Sequence, residues 1–240
     1  MSLNNLKVFG LIPARGGSKG ISNKNMHLVK GRPLIDYTID ASKGSNFIDE
    51  TYLSSDSKAI LDHGKERNIS VIERPHEFAS DHSNAAQVVF HFHKFLLTNG
   101  NISEEEDFYL SYLQPTSPLR TAKILDESFK MIEGSPEKSV ISLAENIYTP
   151  YKSFVLNSDG LVESLFEESL SNQNRQNLKK TYRSNGAIYT FLMSKFNLNK
   201  GFPSNNSMPF IMQSSESLDI DSYEDLDTLE LHLSQEKLKK

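Results

Sequence analysis

The sequence contains no cysteine and no tryptophan. Without cysteine a disulfide scaffold, a thiolate metal site and a cysteine nucleophile are excluded, so any catalytic metal must be held by oxygen or imidazole ligands. No apolar run approaches the ~20 residues needed to cross a bilayer, and residues 1–7 lack the charged start and apolar middle of a signal peptide. A soluble, unexported, cytoplasmic protein with no membrane partner is expected. Positive charge is not in excess either: 26 Lys and Arg stand against 31 Asp and Glu, a net charge of -5 at pH 7. Nucleic-acid binding needs a basic face for phosphate contacts, so no nucleic-acid partner is expected, although a local basic pocket for a small anion stays open.

The 240 residues suffice for one domain with a sizeable core. β-rich apolar runs alternate with amphipathic helical stretches, which favours an α/β fold with a parallel sheet covered by helices on both faces. Residues 7–13 read as a buried first strand, ended by Pro13 and a loop containing Gly16, Gly17 and Gly20. A helix is predicted to begin at Pro33, followed by a strand at 49–54, a helix at 57–67 and a short strand at 69–73. Asn84 is placed to cap a helix that stops at Asn99-Gly100. A strand at 108–113 runs into Gln114-Pro115-Thr116-Ser117-Pro118-Leu119-Arg120, whose two prolines forbid helix and ladder alike. A helix near 123–133 and a strand near 139–143 follow. Residues 145–182 are polar and irregular, and read as an insertion used for dimer contact or substrate cover. A strand at 187–192 and a last helix capped by Ser222, with Leu226, Leu229 and Leu233 inward, complete a single domain over residues 1–240.

Two features carry no function on this reading. His91 and His93 sit two apart on a helix and so on different faces, which does not make a joint metal site. Glu104 to Asp107 is a solvated loop rather than a metal cage, because consecutive carboxylates without turn residues diverge.

Four clusters remain, each expected at a strand end, the edge where ligands bind in open α/β sheets. The loop Arg15-Gly16-Gly17-Ser18-Lys19-Gly20 with Lys24 offers backbone N–H groups, a hydroxyl and three cations, which suits a polyphosphate. It matches neither the Walker pattern nor G-x-G-x-x-G, and such a loop can equally be a plain turn. Gln114 to Arg120 is the second cluster and Arg183 to Tyr189 the third. In the fourth, Asp219 and Asp221 stand two apart, so on an extended segment both carboxylates face one side and can hold magnesium (Mg2+) against phosphates. The alternative is a helix lead-in in which Asp221 or Ser222 only caps the last helix.

Taken together, residues 12–20 with Lys24-Asn25, 113–120, Arg183-Ser184-Asn185-Gly186-Ala187-Ile188-Tyr189 and Asp219-Ile220-Asp221 resemble the acylneuraminate cytidylyltransferases, the CMP-sialic acid synthetases, in order and spacing from about residue 7 to 232. The resemblance implies a doubly wound, Rossmann-like nucleotidyltransferase fold, a homodimer and a magnesium requirement. It implies that Arg15, Gly17, Ser18, Lys19, Lys24 and Asn25 hold the triphosphate of CTP and that Arg74 lies near the cytosine. Gln114 matches a glutamine that meets the acidic sugar, Lys152 and Arg175 match cations that a dimerisation arm brings to the sugar site, and Arg183 and Asn185 open the second signature. Asp219 and Asp221 match the metal pair. The reaction so implied transfers CMP from CTP to the anomeric hydroxyl of a nine-carbon 2-keto acid sugar and releases pyrophosphate, with Arg15 and Lys19 steadying the leaving group. Two departures stand out: His82, Ser83, Asn84 and Ala85 replace the paired serines that some members carry close to the nucleotide, which leaves the base contacts there open, and Ser184 stands where some have proline. The competing readings are a cytidylyltransferase for the eight-carbon acid Kdo, a CTP-binding regulator without turnover, and a pure interaction or structural protein, which failure to bind CTP would favour.

Overall fold

Alternate residues of the first strand, β1 (Val8–Pro13), enter two different cores: Val8 and Ile12 join one, Phe9 and Leu11 the other. That period of two is what a strand buried on both faces requires. The computed structural model describes residues 3–18, 20–79 and 83–238. After β1 come a short hairpin, β2 (Leu28–Val29) and β3 (Arg32–Pro33), then α1 (Leu34–Gly44), β4 (Glu50–Ser55), α2 (Lys58–Glu66) and β5 (Ser70–Glu73). Next are α3 (Ala85–Thr98), β6 (Tyr109–Tyr112), α4 (Ala122–Lys130) and β7 (Val140–Glu145). The insertion contains β8 (Phe154–Leu156), β9 (Val162–Ser164) and α5 (Glu168–Ser171). The chain returns through β10 (Tyr182–Leu192) and β11 (Met208–Ile211) to α6 (Tyr223–Leu238).

Seven strands form one sheet in the order β11-β7-β10-β6-β1-β4-β5. β10 runs antiparallel to β6 and β7, and the other pairings are parallel. Helices α1, α2 and α4 pack on one face, where Ile35, Ile39, Ile60, Leu125 and Phe129 meet Val8, Ile12 and Leu53. Helix α3 covers the other through Val88, Val89, Phe92 and Leu96. In that second core Phe9 makes edge-on contacts with Tyr52, Phe92 and Phe108 at 5.1–6.2 Å, arrangements favoured by the ring quadrupole. A third cluster joins Ile220, Leu226 and Leu229 to Ile21, Val29, Leu34 and Leu119, so α6 is pinned against the loop after β1.

Helix ends follow the sequence closely. Asn84 accepts from the Gln87 N–H at 3.0 Å while the Gln87 side chain accepts from the Asn84 N–H, a reciprocal cap for α3. Ser222 accepts from the Asp225 N–H, and the Asp225 carboxylate accepts from the N–H groups of Asp221 and Ser222, closing the start of α6. The helix read from Pro33 begins one residue later, because Pro33 has an extended ψ and belongs to β3. β10 begins at Tyr182, well before the expected 187, and β11 was not expected at all. The four residues of β11 include Pro209 and form an edge strand beside β7, the position in a sheet that tolerates proline.

Two of the four clusters therefore do not sit at strand ends. Arg183 to Gly186 lies inside the first half of β10. Because β10 is antiparallel, that half still emerges at the edge where the parallel strands end, beside the residues after β6. Asp219 to Asp221 lies on an extended link ahead of α6.

Candidate active site

An open cleft of about 230 Å³ lies at the C-terminal edge of β1, β6 and β5. β1 supplies the loop carrying Arg15, Gly17 and Ser18, β5 supplies Arg74, and β6 supplies Tyr112 and Gln114. The N-terminus of α3, at Ser83 to Ala85, forms the opposite wall, so the positive end of that helix faces the cavity. Lys24 and Asn25 complete it. Arg15, Lys24 and Arg74 contribute cations, and no carboxylate lines the cleft among the described residues. Such a lining selects an anion.

The loop after β1 is braced at several points. The Gly16 N–H donates to Asp56 Oδ1 at 2.9 Å, so this backbone group, counted from sequence among those free for phosphate, is taken. Asn25 is buried and donates from Nδ2 to the Arg15 carbonyl at 2.9 Å. It shapes the loop as well as touching the cavity. At Gly17 a Cβ would meet no protein atom within 4 Å; the space it would fill opens into the cleft. Gly20, in contrast, lies so close to the Asp221 carbonyl that a Cβ would collide with it. Lys19 lies outside the described residues, as do Asp81 and His82.

Arg74 is buried with no carboxylate against it among the described residues. Its Nη2 donates to the Ser54 carbonyl at 3.0 Å and Nη1 to the Phe78 carbonyl at 3.4 Å, while Nε has no partner. Burial, with Arg15 nearby, lowers its pKa. A guanidinium held this way on the wall of a cavity has a donor to spare for a ligand. Burial also raises the pKa of the neighbouring Tyr112 phenol, which stays protonated.

The aspartate pair is separate from the cleft lining but tied to it. Lys24 Nζ donates to the Ile220 carbonyl at 2.7 Å and to Asp221 Oδ1 at 3.0 Å. The Ile220 N–H donates to the Thr116 carbonyl at 2.9 Å, and the Thr116 hydroxyl bonds to Asp219. The Asp219 carboxyl is held above its ordinary pKa, first by partial desolvation and then by the Asp221 charge, with the Thr116 bond opposing. Two crowded carboxylates with a lysine already on one of them form a hard-oxygen donor set that fits a divalent cation. Among the described residues no three His, Asp or Glu side chains gather into a closed cage. Helix capping does not occupy Asp221, because Ser222 and Asp225 perform it.

The structure thus brings Arg15, Gly17, Ser18, Lys24, Asn25, Arg74 and Gln114 to one cavity and places Asp219 and Asp221 at its margin. Lys152, Arg175 and Arg183 do not line it. Lys152 and Arg175 lie on the insertion, where Arg175 sits 5.9 Å over the Tyr148 ring, and Arg183 is exposed on β10. Asn185 is buried and fully engaged: Oδ1 accepts from Ser142 and from the Ala187 N–H, and Nδ2 donates to Ser217 Oγ at 3.0 Å and Met212 Sδ at 3.2 Å. It crosslinks the sheet to the segment leading to α6 and has no free group for a sugar. Sequence reasoning did not single out Tyr112; the resemblance set residues 82–85 close to the nucleotide without fixing their contacts, and of these Ser83, Asn84 and Ala85 line the cleft.

A mostly parallel sheet wound on both faces, with a cation-lined cleft at the ends of its strands, is a doubly wound α/β fold with its ligand site at the usual edge. The solved structure of CMP:2-keto-3-deoxy-manno-octonic acid synthetase complexed with CTP has this fold, with a TM-score of 0.68 at 15% identity over 96% of this chain and 99% of that one. The cytidylyltransferase family model matches residues 9–238, and the chain belongs to that family. It is 29% identical to the N-acylneuraminate cytidylyltransferase of Streptococcus agalactiae serotype V over 92% of this chain and 52% of that protein. Identity is 32% to the CMP-N,N'-diacetyllegionaminic acid synthase of Legionella pneumophila, covering 90% and 92% of the two chains. For the pseudaminic acid cytidylyltransferase of Campylobacter jejuni it is 30%, covering 92% and 94%. The chain spans about half the length of the N-acylneuraminate cytidylyltransferases it matches.

Proposed function

We propose that this chain transfers CMP from CTP to the anomeric hydroxyl of a nine-carbon 2-keto acid sugar, releasing pyrophosphate. The observation that carries the reading is the cleft itself, which Arg15, Lys24 and Arg74 line together with no carboxylate in the lining among the described residues, in a chain of the cytidylyltransferase family. Arg15, Ser18, the Gly17 backbone and Lys24 bind the triphosphate, with Lys19 on the same loop; Arg74 and the start of α3 hold the base end. Arg74, Tyr112 and Ala85 line that end of the cleft, and in a chain of the cytidylyltransferase family the base they would take is a pyrimidine. Gln114 faces the acceptor. The relatives act on N-acylneuraminate, pseudaminic acid and diacetyllegionaminic acid by name, and the acceptor of this chain is one of that class; Kdo, the acid of a structural neighbour at 15% identity, is the weaker reading.

Asp219 and Asp221 would hold the magnesium ion, which when bound neutralises charge on phosphate oxygens. The chain's own contribution is positional. Arg15 and Lys24 fix the phosphates so that the acceptor oxygen can approach the α-phosphorus in line, and cations stay on the pyrophosphate as its charge grows. Asp221 also accepts from Lys24 Nζ at 3.0 Å, which ties the aspartate pair to a cation of the cleft. We also infer a homodimer built on the 145–182 arm. Hairpin β8–β9 is exposed on both faces, and Ile147, Tyr148, Leu156 and Val162 are 70–78% exposed. A two-stranded hairpin with that much bare apolar surface is marginal alone and is stabilised by a covering partner; Lys152 and Arg175 would then reach the partner's cleft.

The test is incubation with CTP, magnesium and, in separate reactions, N-acetylneuraminic, legionaminic and pseudaminic acids, with pyrophosphate measured. Release with one of the three, and none with ATP or GTP, is the expected result. Binding of CTP without release for any acid would point to a silent regulator instead.

A further inference from the structure

Arg120 is the largest fully buried side chain of the protein, only 1% exposed, and among the described residues no carboxylate pairs with it. Its guanidinium is held by neutral acceptors alone. Nη1 donates to the Ala187 carbonyl at 2.7 Å and to the Gln114 carbonyl at 3.2 Å, and Nη2 donates to Thr38 Oγ1 at 2.7 Å; Nε has no partner. Three elements meet on this one group: α1 through Thr38, the loop after β6 through Gln114, and β10 through Ala187. A buried cation without a counter-charge is among the least favourable arrangements in an interior. Burial accordingly pulls the Arg120 pKa down to about 9. A strut joining three carbonyl or hydroxyl oxygens would not require a permanent charge.

What lies on the other side of Gln114 is the cleft. The Gln114 side chain is seated against Gly186, whose φ of +75° and bare Cα leave room for Oε1 where a Cβ would collide with it. The main chain of Gln114 is thus fixed by Arg120 and its side chain by the glycine of β10. We propose that Arg120 is a positioning residue for the acceptor acid: it clamps Gln114 to β10 and places behind it the positive charge that the acceptor's carboxylate completes. The inference rests on the cytidylyltransferase reading above. It makes Arg120 a determinant of selection for an anionic acceptor, separate from the nucleotide end of the cleft, where Arg15 and Arg74 act.

The experiment compares wild type with Arg120→Met and Arg120→Gln, using the acid that wild type turns over and its methyl ester, with CTP binding measured by calorimetry without acceptor. Loss of the clamp on Gln114 together with the charge behind it is expected to lower kcat/KM for the acid by about tenfold or more. The ester, which has no charge to be read, should lose much less, so the acid-to-ester preference collapses. CTP affinity should stay within about threefold, as for sites that do not share partners. Arg120→Lys should recover part of the acid preference, because it restores charge without the fork. Equal losses for acid and ester, or a loss of CTP affinity in step with that of the acid, would overturn the proposal. Unfolding of both neutral variants would assign Arg120 to the fold alone and overturn it as well. A wild type that releases no pyrophosphate with any acid would instead remove the underlying reading.

Discussion

Replacing Asp221 by alanine separates a metal-binding role from a structural one. Among the described residues Asp221 makes one side-chain ion pair, to Lys24 at 3.0 Å, with its own side chain 78% exposed. A pair so open to water contributes at most about 1 kcal/mol, which for a domain of this size is a melting-temperature change of roughly 2–4 °C. The start of α6 is unaffected, since Ser222 and Asp225 cap it. If Asp221 and Asp219 hold magnesium against the triphosphate, each alanine variant loses an interaction that strengthens as charge reaches the leaving group, and turnover should fall at least ~100-fold. Raising magnesium should recover part of that. Ser222→Ala is the mirror image: it should cost about 1 kcal/mol of stability and leave turnover near wild type. The assay is pyrophosphate release at saturating CTP and acid, paired with thermal melts of the same samples. Near-normal turnover in both aspartate variants would refute the metal assignment. A melting-temperature loss in Asp221→Ala larger than that in Ser222→Ala would return Asp221 to the fold.

Three further outcomes are expected. Arg74→Met should weaken CTP binding by about tenfold or more in calorimetry, yet leave the melting temperature unchanged or raised, because a desolvated charge is exchanged for an apolar chain of similar size; a large loss of stability with CTP affinity intact would contradict this. Tyr148→Glu combined with Val162→Asp should yield a monomer by light scattering without unfolding, since both side chains are exposed in the single chain; a dimer that persists would remove the arm as the interface. Because the Asp219 carboxyl is held above its ordinary 3.8, the folded chain binds that proton more tightly than the unfolded chain. The small stability it contributes is then present at low pH and declines as pH rises from 3.8 through the folded value. Magnesium needs the carboxylate, so its stabilising thermal shift should grow as pH rises from the ordinary 3.8 through the raised folded value; a shift independent of pH would exclude Asp219 as a ligand.

Much of the sheet was legible because its strands obey local rules. β1 and β6 lie in apolar runs bounded by turn residues, and Asn84 and Ser222 mark helix starts with the side chains that satisfy them. Where the chain departs from those rules the reading lapsed. The first residues of β10, from Tyr182 to Ser184, are exposed and polar, so no burial pattern announces them; the ladder to β7 makes them a strand. Pro209 concealed β11, which a proline can join only at an edge. The turn between β2 and β3 is made by Lys30 and Gly31, both with positive φ, without the asparagine or aspartate that would have signalled it.

The site was legible in a different sense: residue types located it, but only the tertiary arrangement assigns a task to each group. Asn185 and Gln114 are both amides in signature stretches, and nothing in their chemistry distinguishes them. Burial does. The Asn185 amide is spent on Ser142, Ala187, Ser217 and Met212, whereas Gln114 has its main chain anchored and its side chain against the cavity. The same test separates the arginines. Arg74 has a spare donor on a cleft wall, Arg183 is exposed on a strand, and Arg120 is enclosed with its charge unanswered. An antiparallel β10 is what makes the last arrangement possible, because only that direction brings the carbonyl of Ala187 and the bare Cα of Gly186 to the end of β6 where Gln114 begins. Had β10 run parallel, residues 183–187 would lie at the opposite edge of the sheet, and Arg120 would have neither its acceptor on that strand nor Gln114 held in reach of an acceptor acid.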